Sequence, residues 1–310
     1  MKMRVKAMKA TRTLSIPLIL AVSLITGETV QAGETWYTSV SASILPATYS
    51  DSDQRNSLLS TSLQLNTDYL DTVNISLFYN RTSIDFKKIA GVDNDIDQTT
   101  YAGRLQYQVF VDSLGGSIAT GLTLHRLTNN DATRLSDEVS VVAPRISYLN
   151  YKKTLMLGVE YTQSDYPNNG NLKITQWVPS FGFSLNQGAD WLSFRPFLIR
   201  SNDKSRSQNE SSLSSITMQW MHWTAPAPFL GIKRVYADVM VGKRVYAVDN
   251  NSFSVYNLSD LQLGSASIGA GWKVNGIELN AILGTEKYEN KVIDNRYSQE
   301  FLYLSAIKQW

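Results

Sequence analysis

Cysteine is absent from the 310-residue chain, which excludes a disulfide framework and any thiolate metal centre. Histidine is almost absent too, with His125 and His222 alone. Neither sits in an H-E-x-x-H pair, and no G-x-S-x-G turn occurs, so the familiar zinc and serine-nucleophile signatures are missing. No enzymatic activity and no cofactor are expected. Charge of either sign is not in excess: the formal net charge is +2. Lys2, Arg4, Lys6, Lys9 and Arg12 all fall at the start, so the remainder is mildly acidic and offers no electrostatic footprint for nucleic acid. Long apolar runs are lacking as well. Beyond residue 33 none approaches the roughly 20 residues of a membrane-spanning helix.

What is present begins with a basic head without acidic residues, followed by an apolar run from Leu14 to Thr26 and the small-residue exit Val30-Gln31-Ala32. The run is too short to span a bilayer, and the tripartite plan is that of a secretory signal peptide. Residues 1–32 are therefore expected to be removed between Ala32 and Gly33, leaving 33–310 as the mature protein.

That mature part alternates apolar and polar residues with period two. Tyr101, Gly103, Leu105, Tyr107, Val109 and Val111 oppose Ala102, Arg104, Gln106, Gln108 and Phe110. The same holds for Val73, Ile75, Leu77 and Tyr79 against Asn74, Ser76, Phe78 and Asn80. Such alternation marks two-faced strands. The runs are long for a soluble sandwich, whose strands centre on about 5 or 6 residues. Strands are expected over 36–47, 54–66, 70–84, 97–112, 115–128, 137–149, 153–165, 172–186, 190–202, 211–225, 230–247, 257–274, 277–289 and 297–310. Tight turns at Thr67-Asp68, Ser113-Leu114, Tyr151-Lys152, Gln187-Gly188, Ala227-Pro228 and Asn275-Gly276 alternate with longer polar loops. Short turns at one end and long loops at the other are the habit of outer-membrane barrels. The expected fold class is all-β: a transmembrane antiparallel up-and-down barrel of about 14 strands, with 12–16 allowed. Pro144, Pro179 and Pro196 fall inside expected strands, where a missing N–H implies either bulges or strands wrongly bounded.

The chain closes on RYSQEFLYLSAIKQW, Arg296 to Trp310. A last strand ending in an aromatic residue resembles the assembly signal of Gram-negative outer-membrane proteins, here carried by Leu302, Leu304, Ala306 and Trp310. Lys308 departs from the apolar residue usual at its position. In length and strand count the chain looks like the monomeric fourteen-stranded porins, without a shared motif or a specific subfamily. The resemblance implies the outer membrane as location, membrane lipid and lipopolysaccharide as surroundings, the barrel-assembly machinery as a partner during insertion, and a monomer.

Fourteen tilted strands close at a radius on the order of 14 Å, which leaves room for a lumen. No plug is evident in the sequence, and the longest loop, Asp85–Ile96, is the one to watch for an inward fold. Charges expected on the lumen-facing parity are Arg104, Arg145, Glu160, Arg195, Asp238, Arg244, Lys273, Glu278 and Glu286. A two-residue turn at Asn275-Gly276 would set Val274 opposite Ile277 and Lys273 opposite Glu278, and Arg145 would lie one diagonal from Glu160. Both histidines read as interfacial. Asp93, Asp95 and Asp97 read as a solvated loop, and no metal site is expected. By elimination the expected role is a porin-like channel passing small hydrophilic solutes with weak ion selectivity. A conduit for exported polysaccharide or protein, or a non-conducting surface barrel, stays open beside it.

Overall fold

The computed structural model describes residues 36–87, 95–224, 231–257 and 259–310. The expected signal peptide, the Ala227-Pro228 turn and most of the 85–96 loop lie outside them. Eleven strands run in sequence: β1 (Trp36–Ser50), β2 (Arg55–Tyr69), β3 (Val73–Phe86), β4 (Ile96–Val111), β5 (Gly116–Asn129), β6 (Val139–Asn150), β7 (Leu155–Tyr166), β8 (Leu172–Leu185), β9 (Asp190–Ser201), β10 (Ser212–Trp223) and β11 (Ile232–Arg244). Two short strands, β12 (Val248–Asp249) and β13 (Ser254–Val255), form a sheet of their own. The wall then resumes with β14 (Leu261–Val274), β15 (Ile277–Asn290) and β16 (Asn295–Gln309). Without β12 and β13, the strands pair antiparallel with their neighbours into one closed barrel of fourteen. Backbone bonds between Thr38 and Trp310, at 2.9 and 3.3 Å, extend the β1–β16 seam that closes it.

The faces follow the alternation. Leu77, Tyr101, Leu105 and Leu283 point outward and are more than half exposed, the inside-out arrangement of a wall meant for hydrocarbon. Asn275 and Gly276 both take positive φ, 50° and 75°, and set Val274 opposite Ile277 and Lys273 opposite Glu278. At the end of β2 the structure differs from the expectation. The strand runs through Thr67-Asp68, and the chain reverses at Leu70 and Asp71 with φ of 49° and 54°. Leucine has no turn preference to announce that conformation, so the reversal is set by strand register rather than by turn chemistry.

The prolines neither bulge nor end their strands. Pro144 pairs with Leu122, Pro179 with Val159 and Pro196 with Ile216, in unbroken register. On its other side each lacks a ladder partner. Pairing between β8 and β9 stops at Trp177–Leu198 and resumes in the same register at Phe181–Phe194. Pro179 and Pro196 therefore face one another across that gap. A strand residue points its N–H at one neighbour only, so proline interrupts one seam and leaves the other intact.

Candidate functional site: the lumen and its inserted hairpin

The long connection from β11 to β14 folds into the barrel. Gly242 starts the departure: its φ is 109°, and a Cβ there would lie 2.5 Å from the Ser214 carbonyl oxygen. A side chain there is disfavoured by sterics as well as by conformation. The β11–β14 register shifts between Val241 and Arg244, and the chain turns inward through Tyr246, itself at φ 52°. Val248 then pairs with Val255 and Asp249 with Ser254 in a two-stranded hairpin.

Its base has a true apolar core. Val245, Tyr246, Ala247 and Val248 are buried against Leu127, Val141, Tyr166, Leu172, Ile174 and Ile199, inner-face residues of β5 to β9. Burial of each aliphatic side chain contributes about 1.5–3 kcal/mol. Polar latches continue the attachment. The Gln176 carboxamide donates to the Val248 carbonyl (2.7 Å) and accepts from its N–H (3.1 Å), imitating a strand partner. Asp249 pairs with Arg195 at 2.8 Å. At the tip, Asn250 is fully buried. Its Nδ2 donates to Glu160 Oε1 (2.8 Å), its Oδ1 meets His125 Nε2 (2.7 Å), and Arg104 donates to its carbonyl. Phe253 stacks on Phe78, with centroids 5.2 Å apart, and carries the Arg104 guanidinium 4.4 Å above its ring. The hairpin thus leaves β11 and reaches β3, β4, β5 and β7. Its return leg ends at Asp260, which Arg55 (2.6 Å), Tyr297 (2.6 Å) and Asn290 (2.8 Å) all engage.

Most lumen charges anticipated from sequence converge here. Arg104, Glu160 and Arg195 bind the hairpin directly. Arg145 stands directly opposite Glu160, not on a diagonal. Arg244 lies over Tyr256, 4.1 Å from the ring centroid, and donates to Gln262. Asp238, Arg244, Asp249 and Glu286 share a cavity of about 150 Å³ between the hairpin and the β10–β16 wall. Lys273 and Glu278 stand apart from this group. Glu278 takes its ion pair from Arg234 at 3.2 Å rather than from Lys273. His125 is not interfacial: it is buried inside the barrel. His222 does lie on the outer face, where its Nδ1 meets Asp190 at 2.9 Å. On β16, Leu302, Leu304 and Ala306 alternate on the outer face. Among the described residues no group of three metal-ligating side chains is assembled. Beyond the spanning strands, Lys291 donates to Glu210 at 2.7 Å and holds that carboxyl below its ordinary range.

The opposite arc of the lumen has another character. Along β1, β2 and β3 the inner face presents hydroxyls and amides that bond to one another: Ser43 to Ser62 (2.6 Å), Asn80 to Ser60 (2.6 Å) and Thr82 to Ser60 (2.9 Å).

No protein-family model matches the chain, and no curated protein does. Solved structures match in fold. The Pseudomonas putida toluene transporter TodX aligns with a TM-score of 0.54 at 6% identity, over 89% of this chain and 89% of that one. The TodX deltaS2S3 mutant, a monoaromatic hydrocarbon channel, gives 0.53 at 7% over 89% and 91%. A bacterial polysaccharide outer membrane secretin gives 0.50 at 9% over 90% and 99%. At these identities the likeness is one of fold. What the chain shares with them is the closed antiparallel barrel, here of fourteen strands.

Proposed function

We propose that this protein is an outer-membrane channel through which small hydrophilic solutes diffuse past the inserted hairpin. The observation that carries the reading is the polar lumen beside the hairpin: a cavity on one flank and an arc whose serine, threonine and asparagine side chains bond to one another. Mixed charge, much of it paired, supports weak ion selectivity. The short-turn end would face the periplasm. Membrane lipid and lipopolysaccharide would surround the wall, and the outward residues of β16 with Trp310 would serve its insertion. That fold neighbours include channels agrees with this reading.

Planar-bilayer recording of the purified barrel tests it. Steady, weakly selective openings are expected from the intact chain. Silence from a protein whose heat-modifiable gel migration proves it folded would overturn the open channel. Should deletion of the hairpin then restore current, the barrel is a plugged conduit.

A further inference from the structure

At the short-turn end of the barrel, away from the hairpin, the inner wall of β2 to β6 encloses a cavity of about 270 Å³. Four carboxamides line it: Asn74, Gln106, Gln108 and Asn150. Phe110 and Tyr151 stand beside them, with ring centroids 6.5 Å apart and both side chains exposed. A carboxamide both donates and accepts, which matches the double capacity of an alcohol. Other ligand classes fit less well. Lys153 is the one cation of a lining that also holds the two carboxylates Asp68 and Asp71, so an anion meets net repulsion. An apolar ligand would strip these amides of water and return no hydrogen bond.

Part of the lining is fixed in advance. Asn74 donates to Asp68 at 2.7 Å, and Asn150 accepts from the backbone N–H groups of Thr154 (2.7 Å) and Leu155 (3.0 Å). Tyr151 is held through its hydroxyl on Asp112 at 2.6 Å. By contrast, the side chains of Gln106 and Gln108 bond to no other described residue and are free for a ligand. Holding Tyr151 in advance lowers the ordering cost of binding, while the uncommitted amides keep their hydrogen-bonding capacity for the ligand.

We propose that this cavity is a saccharide site. It takes an uncharged, hydroxyl-rich ring, with the ring's C–H face against Phe110 and Tyr151 and its hydroxyls on Gln106 and Gln108. Towards the hairpin, Asn66, Gln64, Ser62 and Ser60 follow on the same face of β2 and continue the polar lining into the hydroxyl arc. The site deepens the channel reading by naming a solute class, and its occupancy does not depend on conduction. The ring is either a free sugar or one unit of a longer glycan.

Saturation-transfer NMR on the full-length folded barrel in detergent tests the site. The probes are the methyl glycosides of glucose, galactose, mannose and N-acetylglucosamine, with maltohexaose and cello-oligosaccharides as chains and glucuronate as the anionic control. Transfer to at least one uncharged probe and none to glucuronate is expected. The double variant Gln106→Ala/Gln108→Ala should weaken binding about tenfold, the scale of two lost hydrogen bonds. Phe110→Ala should abolish transfer and Phe110→Trp should retain it. Comparable binding of single rings and chains assigns a free sugar, whereas a tenfold preference for chains assigns a glycan. No transfer to any uncharged probe, equal transfer to glucuronate, or binding indifferent to the glutamine variant would overturn the site. Heat-modifiable migration shows that each variant is folded. A barrel that binds sugar yet conducts nothing would sink the channel reading and leave the site standing.

Discussion

Two arcs of one lumen, built from the same alternating strands, divide the work. From β4 to β11 the inner face supplies apolar side chains near the long-loop end and Arg104, Glu160, Gln176 and Arg195 further in. Each of these has its complement on the hairpin. From β1 to β3 the inner face touches the inserted connection through Phe78 and Arg55 alone among the contacts described, and its middle supplies serine, threonine and asparagine, which mostly satisfy one another. A loop stays inside a water-filled barrel only where the wall offers both burial and matched charge. Where the wall offers small hydroxyls, water remains the better partner. The hairpin is therefore a packed constriction, unlike a surface loop that has drifted inward.

The largest test of that contrast removes the hairpin. Replacing 249–255 by a short Gly-Ser link should raise single-channel conductance severalfold, with heat-modifiable migration unchanged because all fourteen wall strands persist. Next comes Arg195→Ala, which leaves Asp249 charged, largely buried and unpaired. Breaking such a pair costs about 3–5 kcal/mol, and the expected outcome is flickering current, with Arg195→Ala/Asp249→Ala steadier than the single variant. Gly242→Ala should cost about 1–3 kcal/mol, as forced backbone strain does, visible as a lower unfolding temperature of the detergent-solubilised barrel. On the hydroxyl arc, Ser62→Ala should change stability by no more than about 1 kcal/mol and leave conductance as it was. An equal response from both arcs would erase the distinction.

Acid should do least. Lys291 lowers the Glu210 carboxyl, so the stabilisation from that pair is complete above the ordinary glutamate range and is lost as pH falls through the lowered value. Being partly exposed, the pair is worth at most about 1 kcal/mol. Current recorded between pH 7 and pH 5 should be flat with respect to it.

The wall was legible because its signal is local. Period two identifies both faces of a strand, and Asn275-Gly276 announces its own turn and register. Leu70-Asp71 announces nothing, whereas Thr67-Asp68, which carries the expected turn residues, continues β2. The inserted hairpin escaped notice for a different reason. Its partners lie on strands far apart in sequence, and loop length points to Asp85–Ile96 instead. Two traces were there to be read. Val245-Tyr246-Ala247-Val248 is a wholly apolar run that breaks the alternation at the end of the expected strand 230–247, and the strand in fact ends at Arg244. Val139, Val141, Leu172, Ile174 and Ile199 put apolar residues on the parity that should face water. Where the inner face of several neighbouring strands loses polarity at one end, something must cover it. The lumen charges followed the alternation, but their partners Asp249, Asn250 and Phe253 depend on the tertiary fold.

The facing prolines of β8 and β9 have a mechanical consequence. Over the span from Trp177 to Phe181 the two strands are stitched above and below and unstitched between, with Pro179 and Pro196 unable to donate. A closed barrel opens most readily where its ladder has the widest break, and the three residues per strand left without a partner here form that break among the described seams, so amide exchange at the centre of β8 and β9 should outpace that at the centre of the continuously laddered β2–β3 pair.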